Sequence, residues 1–239
     1  MNELDITSNG YLEINDFITP SQLDELKEFT FRNIEKFKGK NFRLYEDSFK
    51  NTVIQDKNFE NKLESLINEI VNFNYNKFVE KEPEIYKVLR VVAGKKQKKQ
   101  ANLFHFDAHL ITILIPILIP QNKNLKNGDL VIFPNIRKVN ESLLLNIFQK
   151  LFFQNFIIRK LLSFSILRKI LNYKILKLIP GKIYVFNGFT TLHGNMEIDE
   201  ESQRATLLIH AYDVFNKSSL VNKNRKKSID AEIKNIKKN

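Results

Sequence analysis

The sequence predicts an α+β protein whose strands close into a sandwich or a barrel. Two observations predict it. Amphipathic helical stretches come first, between residues 20 and 78, and short β-branched runs bounded by turn residues follow. A chain of 239 residues is long enough to bury a sizeable core in one domain.

The elements follow in order. Residues 11–18, YLEINDFI, alternate and predict a first strand. Thr19 then stands as a helix cap, with Pro20 at the first helical position and Gln22 where a capping box wants Gln or Glu, so a helix is expected from Pro20. Residues 58–78 form a second helical pattern, with Phe59, Leu63, Leu66, Ile67, Ile70 and Phe73 on one side. EIYKVLRVVAG (84–94) reads as a strand, and KKQKK (95–99) as a solvated hairpin tip. A long apolar strand is expected over 102–119. NGDLVIF (127–133), PGKIYVFNGF (180–189) and RATLLIHAYDVF (204–215) are turn-and-strand units.

Between Pro134 and Ile179 the pattern turns helical. Leu143, Leu144, Ile147, Phe148, Leu151 and Phe152 recur at helix spacing, and Arg159–Lys160 and Arg168–Lys169 fall opposite later apolar groups. Residues 136–178 are therefore expected to be a basic, amphipathic helical insertion in a single domain spanning 1–216. The lysine-rich tail, 217–239, is expected to be a frayed helix or disordered.

The net charge of +11 is concentrated. Residues 136–178 carry nine Lys/Arg against one acid, and 217–239 carry eight against two. Nucleic acid is a poor fit, because the charge does not spread over a face of the core and aromatic residues are not interleaved with it. The insertion instead has the composition of a helix lying on an anionic membrane surface, or of a lid or dimer contact. The absence of cysteine excludes disulfides, thiolate zinc sites, iron–sulfur clusters and a cysteine nucleophile, and fits a reducing compartment. The first residues lack the apolar run of a signal peptide, so a cytoplasmic location is expected, peripheral to the membrane if the insertion touches it.

The polar groups opening the long apolar run carry the chemistry. His105, Asp107 and His109 are two residues apart, which in a strand presents them on one face. Two imidazoles and a carboxylate suit a borderline cation such as Fe(II) and leave coordination positions open. His105 and His109 would lie about 13 Å apart on one stiff strand at ~3.3 Å per residue, too far to share an ion. The third ligand must come from elsewhere, and His193, straight after a strand, is the better candidate. His109 is expected to be a pocket histidine, contacting substrate or supporting the ligands. His210 shares the parity of Arg204 and Thr206 and is expected to face the barrel interior. Arg204 and Thr206, a guanidinium and a hydroxyl on one strand face, make a seat for a carboxylate. Arg90, mid-strand, is expected to stay outside the pocket.

The ordered set HFD, NGDLVIFP, PGKIYVFNGFTTLHG and QRATLLI resembles the Fe(II)/2-oxoglutarate-dependent dioxygenase family. EINDFITPSQLDEL resembles the lead-in helix of its prolyl-hydroxylase-like members. The resemblance covers about residues 11–215 without the insertion. It implies a double-stranded β-helix, or jelly roll, with His105, Asp107 and His193 binding iron. It implies that Arg204 pairs with the distal carboxylate of 2-oxoglutarate, with Thr206 assisting. It also implies consumption of O2 and 2-oxoglutarate, giving succinate and carbon dioxide as a C–H bond is hydroxylated. Asn127-Gly128-Asp129 stands where the family often has Gly-Gly-acid, and the insertion is not part of the common core. A small-molecule or lipid-linked substrate, such as an envelope glycolipid, and a protein side chain remain open. So do a cupin-like metal-binding module without turnover and a membrane-recruitment protein.

Overall fold

The computed structural model describes residues 4–75, 84–93, 101, 103–121, 126–140, 142–153, 155, 158, 160, 171–216 and 218–237. The predicted hairpin tip at 95–99, and Arg159, Arg168 and Lys169 of the predicted insertion, lie outside them.

A short helix α1 (Ile6–Asn9) and strand β1 (Leu12–Ile14) lead into α2 (Pro20–Lys36). The capping box predicted for α2 is present: Gln22 N–H donates to Thr19 Oγ1, and Gln22 Oε1 accepts from Thr19 N–H. Strand β2 (Phe42–Tyr45) and helix α3 (Lys57–Tyr75) follow. The apolar stripe of α3 drifts round the helix through Val71 and Tyr75, which leaves Phe73, expected inside, 44% exposed. The remaining strands are β3 (Tyr86–Ala93), β4 (His109–Leu118), β5 (Leu130–Phe133), β6 (Lys174–Leu176), β7 (Ile183–Phe186), β8 (Leu192–Asn195) and β9 (Gln203–Asp213). Helix α4 (Leu143–Phe153) lies between β5 and β6, and α5 (Ser219–Lys237) makes the lysine-rich tail helical.

The strands form two antiparallel sheets, the larger in the order β1-β7-β4-β9-β3-β2 and the smaller in the order β6-β5-β8. This is the expected jelly roll with supporting N-terminal helices. Strand period 2 sorts the core. Ile111, Ile113, Ile115 and Ile117 of β4 and Ala205, Leu207, Ile209 and Ala211 of β9 pack with Leu26, Ile34, Leu63, Ile67 and Ile70 of α2 and α3. On the other face Leu114, Tyr184, Phe186 and Leu208 meet Leu130, Ile132 and Leu176 of the small sheet. Strand β4 is thus covered on both sides, which is why it is apolar without alternation.

Two further sequence expectations change. Residues 174–176, assigned to the helical insertion, are a strand paired with β5. The long strand expected over 102–119 begins its regular pairing only at His109. Before that, His105 forms a single bridge with His193, so the chain is leaving the small sheet and crossing to the large one.

Candidate metal centre

That crossing builds the site. The His105 N–H donates to the His193 carbonyl (2.9 Å) and the His193 N–H donates to the His105 carbonyl (3.0 Å). Asp107 N–H donates to the Gly188 carbonyl (2.9 Å), and the Ala108 carbonyl accepts from Val214 N–H (3.0 Å). Asn187 shapes the facing turn: its Oδ1 accepts from the N–H groups of Phe189 and Thr190, and its Nδ2 donates to the Tyr75 hydroxyl. Gly188 is required there. A Cβ on it would stand 2.1 Å from Thr112 Oγ1 and 2.7 Å from Asp107 Oδ2.

His105, Asp107 and His193 each bring one ligand-type atom into a group within 4.8 Å of one another. His105 Nε2 is 3.8 Å from Asp107 Oδ1, and His193 Nε2 is 3.5 Å from Asp107 Oδ2. The other ring nitrogens define the tautomers. His105 Nδ1 lies 3.0 Å from the Leu103 carbonyl and His193 Nδ1 lies 3.1 Å from the Thr191 carbonyl. A carbonyl only accepts, so each Nδ1 carries a hydrogen and each ring turns its Nε2 toward the carboxylate. Two imidazole nitrogens and a carboxylate brought together in this way form a donor set that suits a cation among them. A carbonyl on the far nitrogen of each ring is also the usual support of a metal-ligating histidine.

Electrostatics agree with this reading. Burial and, after it, the neighbouring His193 charge together bring the His105 pKa down to about 4, against the opposing pull of Asp107. The ring is therefore neutral at pH 7 and its lone pair is available. Burial alone would raise the Asp107 pKa. His193, His210, His105 and the Thr112 hydroxyl outweigh it and hold the carboxyl well below the usual carboxylate range.

His109 and His210 are not in the triad. Their rings stack with centroids 5.0 Å apart, and His210 Nδ1 stands 3.7 Å from Asp107 Oδ2. Thr112, which the sequence reading passed over, donates its hydroxyl to Asp107 Oδ2 (2.6 Å) and lies 3.2 Å from His210 Nδ1. Thr112 and His210 are directly paired across β4 and β9, and this fixes the back of the carboxylate.

Arg204 is fully buried. It donates to the Gly128 carbonyl (2.6 Å) and to Asn195 Oδ1 (2.8 Å). Asn195 is two residues beyond His193 on β8, so the guanidinium is anchored one strand repeat from the triad. Burial and, after it, the Arg90 charge together bring the Arg204 pKa down to about 9, with Asp129 opposing. Two buried donors here, Arg204 Nε and Asn195 Nδ2, have no acceptor among the described residues. A buried cation flanked by orphan donors fits a carboxylate. Thr206 is buried on the same strand face, opposite Arg90 of β3. That register corrects the expectation for Arg90, which lies on the interior side.

Sequence reasoning also missed Arg137, counted with the basic insertion. It is buried, its Cζ lies 4.0 Å from the ring centroids of both Phe106 and Phe189, and its Nε donates to the Phe189 carbonyl. It further donates to Asn146 (2.7 Å) and Gln149 (3.1 Å) of α4. Phe106 separates His105 from Asp107, and Phe189 follows Gly188, so Arg137 ties α4 to both halves of the site. No local pattern marks this cation as buried.

No protein-family model and no curated protein matches the chain. Solved structures do. A Pseudomonas putida prolyl-4-hydroxylase aligns with TM-score 0.54 at 10% identity, covering 88% of this chain and 96% of the other. A Trichoplax adhaerens prolyl hydroxylase, solved with a hypoxia inducible factor oxygen degradation domain peptide, aligns with TM-score 0.55 at 12% identity, covering 90% and 89%. AviO1 from Streptomyces viridochromogenes aligns with TM-score 0.56 at 14% identity, covering 89% and 97%. At these identities the likeness is one of fold: the chain shares the architecture of these structures at 10–14% sequence identity.

Proposed function

We propose that the protein is an Fe(II)- and 2-oxoglutarate-dependent dioxygenase that hydroxylates an organic substrate with O2. The observation that carries this reading is the grouping of two imidazole Nε2 atoms with the Asp107 carboxylate, one strand repeat from a buried arginine flanked by orphan donors. His105, Asp107 and His193 would hold the metal, and Arg204, with Asn195 and Thr206 beside it, would take the distal carboxylate of 2-oxoglutarate. The bound iron and cosubstrate supply the oxidising chemistry. The chain's own part is positional. The Leu103 and Thr191 carbonyls fix both imidazole tautomers. Thr112 orients Asp107 by donating to the oxygen that also faces His193. The apolar cluster of Leu114, Leu130, Ile132, Tyr184 and Phe186 keeps water from the closed end of the barrel.

The deciding experiment is succinate release measured with O2 uptake on iron-reconstituted protein, without added substrate and then with candidate substrates. Stoichiometric succinate supports the reading. Tight metal binding with no consumption of 2-oxoglutarate would leave a cupin-like binding module instead. The substrate classes to try are a protein side chain of the prolyl type and a lipid-linked molecule such as an envelope glycolipid.

One observation favours the second class. Helix α4 leaves Leu144, Phe148 and Leu151 at 81, 66 and 70% exposure, while its other side presents the buried Asn146 to Arg137. The segment is also the most basic internal stretch of the sequence. We read this face as resting on an anionic membrane surface. Among the described residues no helix is long and apolar enough to cross a membrane, so the contact would be peripheral. Flotation with phosphatidylglycerol vesicles, but not with neutral vesicles, is expected, and it should be lost on changing Leu144, Phe148 and Leu151 to Ser. Equal flotation of wild type and variant would remove this face as the contact, and failure of the wild type to float would remove the membrane from the account.

A further inference from the structure

His210 stands beside Asp107 but outside the ligand group, its Nδ1 3.7 Å from Asp107 Oδ2. Thr112 joins the two. It is directly opposite His210 in the pairing of β4 with β9. Its hydroxyl lies 2.6 Å from Asp107 Oδ2 and 3.2 Å from His210 Nδ1. A hydroxyl has one hydrogen to donate and two lone pairs, and a carboxylate only accepts. The hydrogen in the shorter contact therefore belongs to Thr112. The other contact must then run the opposite way, with His210 Nδ1–H donating to Thr112 Oγ1. The geometry gives the chain of bonds a direction, from His210 to Thr112 to Asp107. The opposite tautomer would put a lone pair on His210 Nδ1, and that lone pair would compete with Asp107 for the single Thr112 hydrogen.

The imidazole is held from both neighbouring strands, because β9 lies between β4 and β3 in the large sheet. From β4 the His109 ring stacks on it with centroids 5.0 Å apart and planes 27° apart. From β3 the ring of Tyr86, its partner in the ladder, stacks at 6.2 Å and 25°. Thr112 is buried, and only 11% of the His210 side chain is exposed, so water competes little for these bonds. In such surroundings a hydroxyl that accepts one hydrogen bond donates the next more strongly. Asp107 depends on such support. Its N–H bonds the Gly188 carbonyl, but the regular pairing of β4 begins only at His109, so the strand ladder does not orient its carboxylate.

We propose that His210 is a positioning residue of the metal centre, which fixes the Asp107 carboxylate by donating through Thr112 rather than by serving as a ligand. The role rests on the metal-centre reading of His105, Asp107 and His193. The direction of the hydrogen-bond chain does not, and it can be measured without metal.

Long-range 1H–15N NMR of the metal-free wild type reads the tautomer. His210 Nδ1 should show the 15N shift of a protonated ring nitrogen, and the shift of an unprotonated nitrogen there would overturn the proposal. Wild type, Thr112→Val, His210→Phe and His210→Asn are then titrated anaerobically with Fe(II) at saturating 2-oxoglutarate, followed by the visible charge-transfer band of the iron–cosubstrate chelate. The Kd for Fe(II) should rise about ten-fold in Thr112→Val and at least about three-fold in His210→Phe. His210→Asn keeps an N–H donor at the place of Nδ1 and loses the ring, and should stay within about two-fold of wild type. The double variant Thr112→Val/His210→Phe should bind no more weakly than Thr112→Val alone, because both changes break one chain. A role in packing alone gives the reverse order: Phe, which keeps both stacks, is tolerated, and Asn, which leaves a gap, is not. That order, wild-type affinity in Thr112→Val, or losses that add in the double variant would each overturn the proposal. The NMR measurement uses wild type, so it stands even where a variant fails to fold. Absence of the band in wild type would instead overturn the dioxygenase reading, and the NMR measurement would still decide the direction of the chain.

Discussion

Replacing Arg204 by Gln tests the cosubstrate seat most directly. The guanidinium is buried, and its only acceptors among the described residues are the Gly128 carbonyl and Asn195 Oδ1. A hydrogen bond to a charged partner contributes about 1.5–3 kcal/mol, so loss of one such contact with a carboxylate corresponds to roughly a ten- to hundred-fold weaker complex. The same change leaves the Gly128 carbonyl and the Asn195 amide short of a partner, so the free protein should also lose about 1–3 kcal/mol of stability. The two effects separate by assay. Anaerobic titration with 2-oxoglutarate, followed by the charge-transfer band, should show a Kd raised at least ten-fold and an unchanged band intensity at saturation, because the metal ligands are untouched. Denaturant unfolding of the free protein gives the stability term. A variant that unfolds more easily but binds 2-oxoglutarate with wild-type affinity would show that Arg204 is a structural cation and that the cosubstrate is anchored elsewhere.

Three further outcomes are expected. His105→Ala and Asp107→Ala should each abolish tight Fe(II) binding in equilibrium dialysis, and stoichiometric iron in both variants would remove the metal centre from these residues. Gly188→Ala should cost about 1–3 kcal/mol by overpacking, read as a lower denaturation midpoint. It should also weaken iron binding, since the new methyl group would displace Thr112 Oγ1 and Asp107 Oδ2 from their positions. The metal-free protein should lose stability as pH falls from about 6.5 toward 4: His105 has a folded pKa of about 4, below its unfolded value, so the unfolded chain binds the extra proton across that window. His105→Asn should flatten this part of the melting-temperature profile, and an unchanged slope would contradict the depressed pKa.

What was legible in the sequence follows from what is local. The cap at Thr19 with Pro20 and Gln22 is written within four residues, and the helix starts there. The apolar runs at 109–118 and 183–186 declare strands because both faces are covered. Short strands such as β2 and β6 were passed over, since three or four residues offer too little periodicity to set a strand apart from its flanks. The grouping of His105, Asp107 and His193 could be anticipated only from the order of motifs along the chain. On one stiff strand His105 and His109 could not share an ion. The chain in fact changes sheets between them, with His105 pairing to β8 and His109 to β9, so their separation in space is a property of topology rather than of rise per residue.

Arg137 shows the limit of reading charge from sequence. Within a stretch of nine basic residues it looks like its neighbours, yet it lies between two phenyl rings and holds the backbone of one of them. From sequence, charge in a basic amphipathic segment belongs to the polar face of a helix, outside the core. A planar, weakly hydrated guanidinium with aromatic faces on both sides and amide oxygens at its edge is one arrangement in which that reading fails. The consequence is that residues 136–178 are not a detachable unit. Their first turn clamps the segments carrying Asp107 and Gly188, and residues 174–176 complete the small sheet on which β5, and through it β8, is supported. An excision meant to separate membrane contact from chemistry must therefore keep Arg137 and 174–176. Where it does, Arg137 still loses its Asn146 and Gln149 partners, so any change in iron affinity reports on that clamp rather than on the exposed apolar face of α4.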